Sequence, residues 1–170
     1  MHQDVTIRRE RAGDAAAIGE LITAAFLGKP YAEGDEAELV DKLRARDALP
    51  VSLVAECEGT IVGQVAFSPA RADDGAPGWY ALGPVAVVPA RQRRGIGSAL
   101  IHEGLDAISR LGASGCILTG DPRYYSRFGF ELSPANVPPG QPAEYFQVRL
   151  LRGQLPAGPI RFHEAFGGAA

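Results

Sequence analysis

The stretch Val88–Leu100, VPARQRRGIGSAL, brings three arginines, two glycines and the start of an apolar run into one short segment at mid-chain. A Walker phosphate loop would need G-x-x-x-x-G-K-[ST], and this segment has no such lysine. A dinucleotide fingerprint would need a third glycine where Leu100 stands. It would also need an acid about 20 residues later, where the chain has the apolar Cys116-Ile117-Leu118. Two possibilities are left. One is a surface turn whose arginines are solvated. The other is a strand, a turn over Gln92-Arg93-Arg94-Gly95-Ile96-Gly97, and a helix that begins at once near Ser98. Consecutive backbone N–H groups converge in such a turn, and the helix N-terminus adds positive potential. Gly95 and Gly97 let the main chain approach a diphosphate, because no Cβ intervenes. Arg91, Arg93 and Arg94 point apart in so tight a turn, so one or two of them, Arg93 or Arg94 first, would reach a phosphate.

Outward from the loop, the flanking segments alternate between strand and helix patterns. Upstream, WYALGPVAVVP is a strand interrupted by Gly83-Pro84. Proline cannot donate to a sheet ladder, so the strand must bulge or bend there. Downstream, Ile101, Leu105, Ile108 and Leu111 form a helical stripe over Ser98–Leu111, with Gly112 as its stop. GCILTG is a short buried strand, and DPRYYSRFG is a short helix opened by Asp121 and Pro122. FELSPA and EYFQVRLL are closing strands around a proline-rich connection from Val137 to Pro142, with a last strand near Gly158–Phe166.

Towards the N-terminus, Val5–Arg9 alternates as a first strand and Asp14 can cap the helix after it. Ile18, Leu21, Ile22, Ala25 and Phe26 give that helix one buried stripe, broken by Gly28 and Pro30. A second helix is expected over Glu33–Ala48, with Leu39, Val40 and Leu43 inward and an acidic outer face. SLVAECEGTIVGQVAFSP is a β-hairpin turning at Glu58-Gly59. The order is mixed α/β in one domain over residues 1–170. Its core runs from about residue 5 to 150, followed by an extension over 151–166 and a frayed tail over 167–170.

The 170 residues suffice for one well-buried core; 46% are apolar and 22% charged, which suits a soluble globular chain. No apolar run reaches the roughly 20 residues of a membrane span, and the start MHQDVTIRRE lacks the apolar core of a signal peptide, so a cytoplasmic protein is expected. A net charge of −3 argues against a nucleic-acid binder. Cys57 and Cys116 lie in apolar strands with no CxxC or histidine neighbour. They are expected as buried thiols, with no disulfide and no metal site. His102 and His163 have no partners in sequence and are taken as structural.

Val87-Val88-Pro89 leading into Gln92, Gly95 and Gly97 resembles the GNAT family of acyl-CoA N-acetyltransferases, whose signature is [QR]-x-x-G-x-[GA] after a strand ending in V-x-P. YYSRFGF is similar to that family's Y-x-x-x-G-F, with Tyr125, Gly129 and Phe130 in place. GDPRYYSRFGF and YFQVRLL further resemble its YhbS-like branch. The order of elements matches from Val5 to Phe146.

The resemblance implies a central mixed sheet with a splayed pair of parallel strands, flanked by helices. It implies acetyl-CoA as co-substrate, with the diphosphate on Gln92, Arg93, Arg94, Gly95, Ile96, Gly97 and Ser98. The backbone at Val85, Ala86 and Val87 would pair with the pantetheine arm. Tyr125 would give a proton to the departing thiolate, against the plainer alternative of one more core aromatic beside Phe128 and Phe130. Glu33 and Glu36 lie where the family often builds its acceptor site, although acids also simply favour a helix start. The family's frequent Asn and Ala before this tyrosine are replaced by the shorter Gly120-Asp121-Pro122-Arg123, and no general base is legible. The implied reaction is transfer of an acetyl group to a primary amine, of a small molecule or a protein, by direct attack in a ternary complex. A non-catalytic CoA-binding sensor domain is the alternative, and a homodimer is a common assembly in the family.

Overall fold

In the computed structural model, residues 4–166 are described; the expected frayed tail lies outside them. Among the described residues, nine strands and four α-helices follow in the order β1 (Val5–Arg9), α1 (Ala15–Phe26), α2 (Glu36–Ala45), β2 (Val51–Cys57), β3 (Thr60–Pro69), β4 (Arg71–Ala72), β5 (Trp79–Val87), α3 (Ile96–Arg110), β6 (Gly115–Thr119), α4 (Pro122–Tyr125), β7 (Glu131–Leu132), β8 (Phe146–Leu150) and β9 (Ile160–Arg161). Seven strands form one mixed sheet in the order β1-β2-β3-β5-β6-β8-β7, and β4 pairs with β9 in a second, two-stranded sheet. Contacts among the described residues divide the chain into two compact units, residues 4–67 with 83–105 and residues 68–82 with 106–166.

In the first unit, β1 and β3 pair antiparallel with β2 on either side. The β2–β3 hairpin turns where expected: Glu58 and Gly59 have φ of 52° and 83°. That is the mirror-image turn whose twist suits two right-twisted strands. Ile18, Leu21, Ile22 and Ala25 of α1 and Val40 of α2 pack with Val54, Ala66 and Ala86 of the sheet. The helix α3 meets β3 at two glycines. A Cβ on Gly63 would stand 3.0 Å from Leu100 Cδ1, and one on Gly104 would stand 2.1 Å from Phe67 Cε1.

Several expected boundaries move, for local reasons. Asp14 sits at the N-cap of α1 but makes no capping bond. Its carboxylate instead accepts from Arg8 Nη1 at 2.9 Å and from the Arg11 amide at 2.7 Å. The second helix starts at Glu36, not Glu33, because Gly34 has a left-handed φ of 87°. It ends at Ala45, where the Asp47 and Ala48 amides turn back to the Arg44 and Leu43 carbonyls and Asp47 takes φ 55°. The helix α3 begins two residues before Ser98, so Gly97 and Ser98 lie within its first turn. It stops as expected at Gly112, but Leu111, expected in the buried stripe, is 52% exposed. Cys57 and Cys116 are buried free thiols, and burial pushes the Cys116 thiol far above its ordinary range.

In the second unit, β8 pairs antiparallel with both β6 and β7. Trp79, Ala81, Ile117, Phe146 and Val148 cluster with Ala72 and Ile160. The expected last strand is only Ile160–Arg161, paired with Arg71–Ala72. Further ties hold this C-terminal segment: Arg161 pairs with Asp73, Asp74 accepts from the Ala157 amide, and the buried Asn136 carboxamide donates to the Pro156 and Gly158 carbonyls.

Candidate active site

The strand β5 carries the interruption that the sequence demands. Its parallel register with β6 runs from Trp79↔Gly115 to Ala81↔Ile117. Beyond that point β6 continues through Leu118 and Thr119 paired with β8, and β5 continues through Gly83-Pro84, joined by a cis peptide bond, to Val87. Ala86 is buried in the α1–α2 core, whereas Val85 and Val87 are half-buried.

After β5 the chain makes a 3₁₀ turn over Pro89–Arg91 and then the glycine turn. Gln92 does not point away from the protein here; its Nε2 donates to the Val87 carbonyl at 3.0 Å and closes the turn on itself. Arg93 and Gly95 have φ of 66° and 87°, a backbone that gathers successive N–H groups on one side. The Gly95 carbonyl accepts from the Ala99 amide at 3.0 Å. That bond opens α3, so the amides of Ile96, Gly97 and Ser98 belong to a first turn whose N–H groups lack intrahelical acceptors. The Ile96 side chain is buried, which fixes the turn to the core, while Arg93 and Arg94 are exposed and Arg91 is half-buried. A Cβ at Gly95 would meet open space, so its requirement is the left-handed backbone and the close approach it permits.

Tyr125 ends α4, and the following 3₁₀ turn over Ser126–Phe128 closes on Gly129 at φ 88°. Asp121 caps α4 as expected, accepting from the Arg123 amide at 2.9 Å. The half-buried Tyr125 ring lies edge-on to Tyr124, 4.9 Å between centroids, and 6.1 Å from Phe130. Aromatic packing and partial exposure therefore coexist at this residue. Burial pushes the neighbouring Tyr124 phenol above its ordinary pKa, with the nearby Arg127 guanidinium acting against it.

Glu33 and Glu36 lie together at the start of α2. The Glu36 carboxylate is engaged with its own turn, accepting from the Glu33 amide at 2.8 Å and the Gly34 amide at 3.2 Å. Glu33 is exposed. His163 Nδ1 accepts from the Ala165 amide at 3.0 Å, a structural role. Among the described residues, no cluster of His, Cys, Asp or Glu could hold a metal ion, and no helix is long and apolar enough to cross a membrane.

The sequence did not single out Gln147 and Arg149, which hold the two ends of the segment that bears Tyr125. Gln147 is fully buried and its Nε2 donates to the Gly120 carbonyl at 2.9 Å and the Tyr145 carbonyl at 3.3 Å. Arg149 Nη1 donates to the Phe128 carbonyl. The only sequence signal was two polar residues alternating with Phe146 and Val148, which resembles an ordinary solvated strand face.

The family model for the acetyltransferase (GNAT) domain matches residues 50–132, from β2 through β7. Over 168 residues the chain is 35% identical to the uncharacterized N-acetyltransferase YhbS of Escherichia coli strain K12, covering 94% of this chain and 97% of that protein. It is 36% identical over 134 residues to the uncharacterized N-acetyltransferase YjhQ of the same organism, covering 78% and 71%. A GNAT family acetyltransferase from Brucella melitensis, solved in complex with acetyl-CoA, shares 45% identity and a TM-score of 0.86, covering 97% of this chain and 99% of that one. The Escherichia coli YhbS structure, in complex with CoA, shares 33% identity and a TM-score of 0.86, covering 98% and 96%. Likeness of this extent takes in the interrupted strand, the glycine turn and the tyrosine segment together, and the chain belongs to the GNAT family of N-acetyltransferases.

Proposed function

We propose that the protein transfers an acetyl group from acetyl-CoA to a primary amine in the cytoplasm, by direct attack of the neutral amine on the thioester within a ternary complex. The observation that carries this is the turn before α3. Left-handed backbone at Arg93 and Gly95, a helix opened by the Gly95 carbonyl, and two exposed arginines stand together there. Oriented amides and a helix N-terminus suit a diphosphate, and guanidinium groups add charge for a further phosphate. The acetyl-CoA and CoA bound by the two solved relatives support the same ligand.

On this reading the backbone at Val85, Ala86 and Val87 pairs with the amides of the pantetheine arm as an added strand would. One of those N–H groups polarises the thioester carbonyl. Tyr125 protonates the departing thiolate, and no enzyme nucleophile is needed. With Glu36 engaged in its turn, Glu33 is the acid of that pair that a cationic acceptor would meet.

Calorimetry with CoA, followed by a mass-spectrometric screen of an amine library with acetyl-CoA, tests the proposal. CoA should bind, and at least one of Arg93→Ala and Arg94→Ala should weaken it by about 1–3 kcal/mol, the range of a charge-assisted hydrogen bond. At least one amine should be acetylated with release of the thiol. CoA binding without turnover of any amine would favour the sensor-domain alternative, and no CoA binding would overturn both.

A further inference from the structure

The Gly120–Phe128 segment that presents Tyr125 is gripped at both ends by one strand. At its start, the Gly120 amide donates to the Tyr145 carbonyl at 3.0 Å, and the Gln147 carboxamide nitrogen bridges the Gly120 and Tyr145 carbonyls. Two carbonyl acceptors decide which end of this carboxamide is the nitrogen. At the end of the segment, Arg149 donates to the Phe128 carbonyl. Its stem lies where a side chain on Gly129 would stand, 2.8 Å from Cδ to such a Cβ. Gln147 and Arg149 are two residues apart on β8 and share one face of it.

Tyr125 depends directly on the first of these grips. Its ring edge rests on Gly120, where a Cβ would come within 2.6 Å of Tyr125 Cε2. Whatever shifts the Gly120 peptide therefore shifts the phenol. Gln147 is also a costly choice for a purely structural position. It is 0% exposed, and its Oε1 is buried with no hydrogen-bond partner among the described residues. An unmade bond of this kind opposes folding, whereas an apolar side chain of the same shape would not.

We infer that Gln147 and Arg149 are positioning residues for Tyr125, with Gln147 setting where the phenol stands through the Gly120 peptide and Arg149 fixing the far end of the segment. The inference rests on the proposed role of Tyr125 as proton donor, and the test separates the two. The first readout is the fluorine NMR resonance of 3-fluorotyrosine placed at position 125, which needs no acceptor amine. Gln147→Met keeps the volume and removes both polar atoms. It should move that resonance by more than its linewidth, with the urea midpoint retained. Arg149→Met, which keeps the stem over Gly129, is the second variant and covers the case in which Gln147→Met fails to fold. A resonance unchanged in the variants that fold overturns the inference.

The second readout is a double-mutant cycle on turnover, using acetyl-CoA and the best amine from the screen described above. Gln147→Met should lower kcat by about tenfold to a hundredfold, the scale of a small misplacement, with CoA affinity unchanged. In a Tyr125→Phe background the same substitution should change kcat less than about twofold, because the group it positions is already gone. An equal loss in both backgrounds overturns the positioning role while leaving Tyr125 intact. Full activity of Tyr125→Phe alone overturns the underlying role of the tyrosine instead.

Discussion

Tyr125 combines a packed ring with a reactive group, and a single atom separates the two roles. Its ring contacts Tyr124, Phe128 and Phe130 edge-on or tilted, and these contacts survive replacement by phenylalanine. Tyr125→Phe should therefore leave the urea midpoint and CoA affinity nearly unchanged, while kcat falls by about 10²–10⁴-fold, the span of a lost general acid. The loss should shrink for an acyl donor whose thiol is more acidic, since that leaving group needs less protonation. Steady-state kinetics with both donors decides it: a variant at full rate returns Tyr125 to the core. Gln92 teaches a related lesson. Its place in the signature marks it as a cofactor-binding candidate, and its side chain donates to the Val87 carbonyl, a bond that ties the turn to the end of β5.

At the scale of elements, the glycine turn is only as well placed as α3, and α3 is seated through Gly104. Helix propensity alone favours alanine over glycine by about 1 kcal/mol in a helix interior. Packing reverses that preference, because a Cβ on Gly104 would lie 2.1 Å from Cε1 of Phe67, a ring that is itself fully buried. Gly104→Ala should destabilise by about 1–3 kcal/mol, as overpacked cores do. Urea denaturation checks this, and a stabilised variant would mean that Phe67 has somewhere to go. The sheet itself was readable as elements but less so as boundaries. The hairpin turn and the helix stop at Gly112 follow from residues that accept a positive φ. The ends of α2 depended on Asp47 taking the same backbone without being glycine, and on the Glu36 carboxylate binding its own turn.

On the scale of the whole molecule, two charged clusters in the first unit contribute to acid stability. Hydrogen bonds from Arg8 and the Arg11 amide hold the Asp14 carboxyl below its ordinary pKa. Burial pushes Glu10 up, but hydrogen bonds from Arg44 and Ser52 outweigh it and leave that carboxyl below its ordinary value as well. A carboxyl depressed in the folded state binds its proton first in the unfolded chain. Its stabilisation is full above the unfolded pKa, about 4 for these groups, and is lost as the pH falls through the lower folded value. Stability measured by urea should therefore be flat with respect to these two groups above about pH 5 and should decline below about pH 4. Glu10→Gln should flatten part of that decline. An unaltered acid slope in Glu10→Gln would remove Glu10 from the account.

The sequence by itself determined the mixed α/β order, the interrupted strand at Gly83-Pro84, the glycine turn and the Tyr125 segment. Each of these rests on local chemistry: a proline without an N–H, glycines at positive φ, a cap at Asp121. It also carried the family resemblance, because those motifs are contiguous in the chain. Only the tertiary structure decided which partners distant residues would find. Asp14 went to Arg8 and not to its helix, because β1 brings a guanidinium within 2.9 Å. Gln147 and Arg149 became clamps on the tyrosine segment because β8 pairs with β6 and β7, and the segment lies between those two strands in the chain. Polar residues in a strand carry no mark of whether they will meet water or a buried carbonyl; the element that packs over them decides.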